Sequence, residues 1–436
     1  MSATQRKPGG LVRRLHVEYR RWRRQLMFLL CALVIGLVSA GFAIAADHAE
    51  NWFKATTRAW PWAPLILTPL GFFLLVLAGR TIFTGTQGSG IPQAMAARML
   101  NRPEERRRFL SLRHAVGKFL LTIVGLGCGA AIGREGPTVQ IGASIVLRAS
   151  RIFELERQRG LILAGSAAGI AAAFNAPLAG VVFAIEEMGR SYEQKINGLL
   201  LGAVLIAGLV AEVLLGSKSY FGHTTETIAW SDWPAVAICG LIGGALGGLF
   251  SRLLLDVPPA VNRLRGGLFA RRPELFAALC GLGLAIVGVF VADGAFGTGY
   301  EVTRNLLQGD PAPEGYGVVK LIASLLSSLA GIAGGIFAPS LAVGAGFGAM
   351  LADFMPATPL AVLALLGMVG YFTGVVQAPL TASIIVLEMT EGHQMIMPII
   401  ATALIARAVS GVVCPKPLYH TLAERMVEAI RHPQGR

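Results

Sequence analysis

Charged residues are scarce in this chain of 436 residues: Asp, Glu, Lys and Arg make up 14%, against 54% hydrophobic residues. A soluble domain of ordinary composition carries about 25% charged residues, so that class is excluded. Long apolar runs are present instead, and several approach the roughly 20 residues that cross a bilayer. They are Leu26–Ala46, Ala63–Ala78, Leu199–Leu215, Ala235–Phe250 and Phe276–Ala292. The sequence therefore predicts an all-α polytopic membrane protein.

The parts of an intramembrane enzyme or metal site are also lacking. The five cysteines are scattered without disulfide or metal-ligand spacing. No His-Glu-x-x-His motif occurs, and no histidine lies in an apolar segment where it could activate a serine. We therefore expect no enzyme activity, no metal and no cofactor.

Acidic residues are fewer than basic ones: the chain has 25 Asp and Glu and 38 Lys and Arg, which gives a net charge of +13. In a soluble protein this excess would suggest a nucleic-acid partner, but between apolar segments the positive-inside rule explains it without one. The rule predicts cytoplasmic N- and C-termini in the cell (inner) membrane. The expected cytoplasmic segments are Arg6–Arg24, Arg98–Arg113, Arg148–Arg159, Arg263–Arg272 and the tail after Lys416.

Two motifs recur at one constant spacing. Gly133-Arg-Glu-Gly-Pro137 aligns with Gly335-Ile-Phe-Ala-Pro339, and 335 − 133 = 202. Asn175-Ala-Pro-Leu178 aligns with Gln377-Ala-Pro-Leu380, and 377 − 175 = 202. Two motifs in one register indicate a duplication.

A third pair, Gly88-Ser-Gly90 and Gly297-Thr-Gly299, has a spacing of 297 − 88 = 209 and requires an insertion of seven residues. The duplication divides the chain into segments. We predict a basic N-terminus at 1–25, a first membrane repeat at 26–217, an extracytoplasmic loop at 218–233, a second repeat at 234–414, and a C-terminal helix with a short tail at 415–436. A cleavable secretory signal is the alternative for the first segment, ending near Ala45.

Glycine and proline interrupt the apolar segments at the paired motifs, and Thr138–Leu147 is predicted to form only half a span before Arg148. Interrupted helices at corresponding places in two halves are typical of a transporter's binding site. The motifs alone leave open whether the halves are inverted or parallel. Helix starts at Gly88–Pro92, Gly133–Pro137 and Gly335–Pro339 would offer free N–H groups, which favour an anion.

The repeat distinguishes functional acids from structural ones. Glu135 matches Phe337, so the fold does not need an acid there, although a helix cap is the alternative. Glu187 matches Met389 and is suited to proton relay or, alternatively, is a helix-end acid facing water. By contrast, Glu186 matches Glu388 and is interpreted as a shared structural residue.

Two further residues have two interpretations each. Lys118 lies in an apolar stretch, Ala115–Ala131, and either makes the site electropositive or is a snorkelling or carboxylate-paired lysine. Tyr419 begins a final helix after Pro417, where a tyrosine is more often an interfacial anchor than a ligand.

From Gly88 to Tyr419, these motifs in this order resemble the chloride channels and chloride–proton antiporters of the CLC type. The resemblance implies two inverted repeats with broken half-helices, about eighteen membrane-embedded helices, and a homodimer with one pore per subunit. It also implies the bacterial type without a C-terminal regulatory domain, since 436 − 419 = 17 residues follow Tyr419.

The resemblance also implies roles for individual residues. Ser89, Tyr419 and the backbone N–H groups of Ile336 and Phe337 would bind chloride, Glu135 would be the gate, and Glu187 would transfer protons. Supporting residues would be Gly88, Lys118, Gly133, Arg134, Gly136, Pro137, Gly335 and Pro339. Glu187 favours exchange of chloride for protons over the alternative of a passive voltage- or pH-gated chloride channel, and Ser89 favours chloride over fluoride.

Overall fold

The computed structural model describes residues 9–153, 158–189, 198–215, 221, 227–263, 271–291 and 294–432, which are almost entirely helical. Six helices among them are long and apolar enough to cross a membrane. They are Gln25–Ala59, Pro64–Thr81, Pro103–Gly127, Trp230–Ala260, Pro273–Phe290 and His393–Val413. The predicted all-α membrane class is confirmed, and all five cysteines are buried and free.

Nine α-helices belong to each half of the described chain. In the first half they are α1 (Gly9–Ala59), α2 (Pro64–Thr81), α3 (Ile91–Met99), α4 (Pro103–Arg107), α5 (Leu112–Gly127), α6 (Glu135–Ile152), α7 (Gln158–Phe174), α8 (Pro177–Phe183) and α9 (Gly198–Leu215). In the second half they are α10 (Trp233–Arg263), α11 (Pro273–Phe290), α12 (Tyr300–Leu307), α13 (Tyr316–Leu329), α14 (Phe337–Met350), α15 (Leu360–Val376), α16 (Pro379–Thr390), α17 (Ile396–Val413) and α18 (Leu418–Arg431). Half of the predicted loop at 218–233 lies outside the described residues, and its described end forms a 3₁₀ turn, Trp230–Asp232, before α10 begins at Trp233.

The helices follow the spacing found in the sequence. Helix α7 ends 202 residues before α15 ends, since 376 − 174 = 202. The residues that follow them, Asn175 and Gln377, both adopt the left-handed conformation, with φ of 52° and 57°. Matching helices thus end at matching turns.

Nearer the N-terminus the spacing is 209, as the third motif pair predicts. Helices α2 and α11 match at both ends, since 273 − 64 and 290 − 81 both equal 209. Gly88 and Gly297 have φ of 71° and 70°. The spacing changes in the connection between α3 and α5, which contains α4. The seven-residue insertion therefore lies in the first half, around Pro103–Arg107.

A reciprocal contact joins the two halves. The Glu388 carboxylate accepts hydrogen bonds from the N–H groups of Leu178 and Ala179 at 3.0 and 2.6 Å, at the start of α8. Glu186 accepts the matching bonds from Leu380 and Thr381 at 3.1 and 2.6 Å, at the start of α16. The end of each segment meets the start of the other, so the two run antiparallel about a local two-fold axis. Inverted repeats produce this arrangement.

Close glycine contacts set the helix packing in both halves. A Cβ on Gly142 of α6 would overlap the carbonyl of Gly165 on α7. The matched glycines, Gly344 of α14 and Gly367 of α15, approach each other in the same way. Small residues let helix backbones meet directly in a membrane protein, which makes van der Waals packing close.

The predicted length of the helix after the first glycine motif is wrong. Thr138–Leu147 was expected to end before Arg148, but α6 extends over 18 residues, Glu135–Ile152. The arginines do not end the helix because Arg148 is exposed and basic side chains in a last turn complement the helix dipole.

Because Glu388 satisfies two N–H groups at the start of α8, Glu388→Ala should lower the free energy of unfolding by about 1–2 kcal/mol, the effect of losing a helix cap. Glu186→Ala should produce at least as large a loss, since Glu186 accepts the matching pair of bonds and one more from the Thr381 hydroxyl at 2.7 Å. Thermal unfolding in detergent measures both, with the exposed Glu428→Ala as control. Loss of stability in only one of the two variants would contradict the symmetric capping role.

Candidate anion site

Three helix starts meet at the centre of the molecule. The backbones of Gly133 and Gly335 exchange both of their hydrogen bonds, each 2.7 Å long. Gly88 N–H donates to Ile332 at 3.0 Å, and Gly334 N–H donates to Gly88 at 3.1 Å. These bonds hold the segments before α3, α6 and α14 side by side, as the anion-site hypothesis requires.

Glu135, the first residue of α6, is fully buried. Its Oε1 accepts a hydrogen bond from the Tyr300 hydroxyl at 2.6 Å. Its Oε2 accepts a bond from the N–H of Ala338 at 3.4 Å, in the first turn of α14. The carboxylate therefore lies at a helix N-terminus, where partial positive charge favours an anion. These are not the contacts of a residue that caps its own helix, because both partners belong to the second half.

A set of unused donors lies next to this carboxylate. The Tyr419 hydroxyl is beside Ser89 and within electrostatic range of both Glu135 and Glu187. The hydroxyl oxygens of Ser89 and Tyr419 make no hydrogen bond of good geometry to any described residue. In the described chain, the N–H groups of Ile336 and Phe337 also donate to no backbone carbonyl.

The interpretation of Tyr419 as an interfacial anchor is wrong. Tyr419 is only 1% exposed, and its ring centroid lies 6.0 Å from that of Phe337. Phe337 in turn packs against Phe372 and Phe174, with centroids 4.8 and 5.9 Å away. An anchor must reach the membrane surface, whereas this ring is enclosed by aromatic side chains.

The matching turn of the second half already binds a carboxylate. Thr298 occupies the position that Ser89 has in the first half, since 298 − 89 = 209. Glu50 of α1 accepts from the Thr298 N–H at 2.9 Å and from its hydroxyl at 3.1 Å. The Gly-Thr-Gly turn thus provides an N–H and a hydroxyl to an anion. The Gly-Ser-Gly turn has the same backbone form around Ser89.

Two glycines of the motif are required by the space around the site. A Cβ on Gly133 would overlap the Glu135 carboxylate, and a Cβ on Gly136 would overlap the Ser89 hydroxyl. The predicted supporting role of these glycines therefore has a steric basis. Their neighbour Arg134 is 3% exposed and donates to Ala43 and Asp47 on α1 at 3.0 and 3.1 Å.

Lys320 is the counterpart of Lys118 in the second half, since 320 − 118 = 202. The sequence interpretation missed it, although the repeat spacing identifies it. Both lysines are fully buried. Lys118 donates to the Gly88 carbonyl at 2.7 Å, and Lys320 donates to the Gly297 carbonyl at 2.7 Å. Lys118 is thus neither snorkelling nor carboxylate-paired. Each lysine holds the glycine turn of its own half.

Glu187 lies in a π-helical turn, Ala184–Gly189, that follows α8. It is 2% exposed, so the alternative of a helix-end acid facing water is wrong. The neighbouring Glu186 turns to α16 instead. π-Helical turns add a residue to the helix and occur frequently at functional sites.

Sequence motifs gave no indication of Tyr300. Its hydroxyl contacts Glu135 across 165 positions of the chain, from the first residue of α12. Arg134 lies over its ring, with the guanidinium carbon 5.9 Å from the centroid. Tyr300 therefore links the acid to a neighbouring cation.

A sequence model of the family described as voltage gated chloride channel matches residues 70–411. This range includes the three helix starts, Glu135 and Glu187. The chain belongs to this family. The H(+)/Cl(-) exchange transporter ClcA of Cronobacter sakazakii is 32% identical over 95% of this chain and 94% of its own length. The transporter of the same name from Yersinia pseudotuberculosis is 30% identical, covering 96% and 91% of the two chains.

Solved structures share the fold of this family member. The crystal structure of a slow cyanobacterial Cl-/H+ antiporter superposes with a TM-score of 0.81 at 26% identity, covering 95% of this chain and 99% of that chain. A CLC-type fluoride/proton antiporter superposes with a TM-score of 0.76 at 21% identity, covering 91% and 96%. At that lower identity the second likeness concerns the fold alone.

Gly136→Ala should weaken chloride binding at least tenfold, because the added methyl group displaces the Ser89 hydroxyl. Isothermal titration calorimetry on the purified protein measures the dissociation constant. Gly41→Ala is the matched control, since a Cβ there meets no atom within 4 Å. Equal affinity in the two variants would show that Ser89 does not contribute to the site.

Proposed function

We propose that this chain exchanges chloride for protons across the membrane. The observation that carries the proposal is the Glu135 carboxylate at the start of α14, bound between Tyr300 and Ala338 as an anion would be. The similarity to transporters named as H(+)/Cl(-) exchangers, over nearly the whole chain, supports the same reaction.

In this proposal, chloride binds to the donors that the helix starts provide. The hydroxyls of Ser89 and Tyr419 and the N–H groups of Ile336 and Phe337 surround one position. These donors carry partial charges only. An ion that must also leave is better held by partial charges than by a buried lysine or arginine. The glycine turns, Pro137 and Pro339 begin the helices that direct these groups.

Glu135 acts as the gate because its carboxylate and chloride compete for one anion position at the start of α14. The ionised side chain binds to the α14 N-terminus. Once protonated, it loses its charge and with it most of its attraction to the helix dipole, so chloride can take its place. Protonation of Glu135 is thereby coupled to the passage of chloride in each transport cycle.

Glu187 completes the proton route on the other side of the site. It is buried, and the charges of Glu187 and Glu135 both act on the Tyr419 hydroxyl. Proton exchange requires a titratable group at this position and a passive channel does not, so Glu187 favours exchange over the channel alternative. We further propose a homodimer with one pore per subunit, in the inner membrane with both termini cytoplasmic.

Glu135→Ala should abolish proton movement while chloride flux continues, because the gate acid is also the proton carrier. Glu187→Gln should abolish proton movement as well, since an amide cannot titrate. Purified protein in liposomes, with chloride and pH recorded together, measures both. Glu428→Gln, an exposed acid on α18, should keep the coupling. Failure of a chloride gradient to drive protons through the unmodified protein would refute exchange and favour a channel.

Tyr300→Phe should speed chloride flux at neutral pH about tenfold or more. A hydrogen bond to a charged group contributes about 1.5–3 kcal/mol, and its loss frees the Glu135 carboxylate to leave the site. The flux should also reach half its maximum at a higher pH, because the ionised acid is no longer stabilised by the hydroxyl. The liposome assay over a pH series measures both effects. An unchanged pH profile would show that Tyr300 does not control the gate.

A further inference from the structure

A cationic cavity of about 260 Å³ lies at the far end of α6 from Glu135. It is formed by α4, the start of α5 and the last turns of α6. The polar and charged lining residues are Arg107, Ser111, Ser144, Arg148 and Arg151. Arg148 follows Glu135 by 13 positions, roughly 20 Å along the helix, so this cavity is separate from the anion site.

The positive charge of the cavity is not compensated within the described chain. No described carboxylate forms an ion pair with Arg107, Arg148 or Arg151. Burial lowers the pKa of Arg151, and the charges of Arg107 and Arg148 lower it further. Three guanidinium groups thus crowd together without an anion of the described chain between them.

Two polar groups of the cavity also make no hydrogen bond to described residues. Ser144 is 1% exposed, yet its buried hydroxyl makes none. The same holds for the buried Nη2 atom of Arg151. A buried polar atom without a partner is unfavourable, so a ligand that accepts from both of these donors would stabilise the cavity.

Comparison of the two halves shows that the fold does not require these residues. Arg107 lies in the part of the α3–α5 connection that holds the seven-residue insertion, which the second half lacks. At a spacing of 202, Ser144 matches Gly346, and Arg151 matches Asp353. Helix α14 therefore forms without the cationic last turn of α6. A general need to complement the helix dipole does not explain the cluster.

Apolar side chains continue from the cavity along the outside of the protein. Leu112 is 48% exposed, Val116 on the same helix is 52% exposed, and Ile152 is 65% exposed. Such residues face lipid in a membrane protein. The arginines belong to two segments that the positive-inside rule assigns to the cytoplasmic face, where anionic lipids attract basic pockets.

We propose that this cavity binds a phosphate group, either in the headgroup of an anionic lipid or as a free anion. Guanidinium groups donate paired hydrogen bonds that match phosphate oxygens, and a serine hydroxyl provides one more donor. A phosphate there would satisfy the Ser144 hydroxyl and the Arg151 Nη2 together. It would also tie the α4 segment to the end of α6.

Binding of two probes to the purified full chain in detergent tests this site: phosphatidylglycerol by native mass spectrometry, and inorganic phosphate by titration calorimetry. Phosphatidylcholine is the net-neutral comparator. Arg148→Gln with Arg151→Gln should weaken binding of at least one probe tenfold or more. The matched control, Arg252→Gln with Arg425→Gln, removes two arginines elsewhere and should bind as the unmodified chain does. If the double variant misfolds, Arg107→Gln alone provides the test, because this side chain is exposed. It should weaken binding of at least one probe about threefold.

The pattern of binding distinguishes the two sources of phosphate. Loss of phosphatidylglycerol binding alone supports a lipid headgroup site, and loss of inorganic phosphate binding supports a site for any phosphate group. The proposal is overturned if neither probe binds, or if the control variant loses as much affinity as the test variants. It is also overturned if phosphatidylcholine binds as tightly as phosphatidylglycerol.

Discussion

The pair of hydrogen bonds between Gly133 and Gly335 is the contact on which the site depends. A helix that begins inside a membrane protein leaves backbone groups without intrahelical partners, and lipid cannot satisfy them. Here each half satisfies the other, because the two glycines match in the repeat and exchange both bonds. The first turns of α6 and α14 are then fixed next to each other, with their remaining N–H groups available. Neither half could form this arrangement alone.

The same symmetry separates the residues that support the fold from those that the proposed exchange uses. Lys118 and Lys320 bind matching carbonyls, and Glu186 and Glu388 cap matching helices. Conversely, Glu135 has only Phe337 as its counterpart. Its carboxylate reaches across the two-fold axis to the helix start that carries that phenylalanine. An acid on one side alone gives the site a single titratable group instead of two that would repel each other.

Much of the fold and the principal acids could be predicted from the sequence, because a constant spacing of motifs is a linear pattern. The spacing of 209 near the N-terminus was also visible, and the structure places the change of spacing around α4. Tyr300 could not be predicted, since its partner is 165 positions away and the contact depends on how α12 meets α6. The full length of α6 was missed for another reason: an exposed arginine interrupts a hydrophobic pattern without ending a helix.

The two halves hold their carboxylates with different hydrogen bonds. Glu50 reaches Thr298 from a separate helix and accepts one hydrogen bond from its N–H at 2.9 Å and one from its hydroxyl, which lies 3.1 and 3.2 Å from the two carboxylate oxygens. Glu135 also accepts two, but the bond from Ala338 is long at 3.4 Å. In the proposed exchange, the long bond to Ala338 leaves the Glu135 carboxylate weakly held, so chloride can compete with it. The bonds of Glu50 to Thr298 are shorter than that bond, which suits a fixed ligand in the second half.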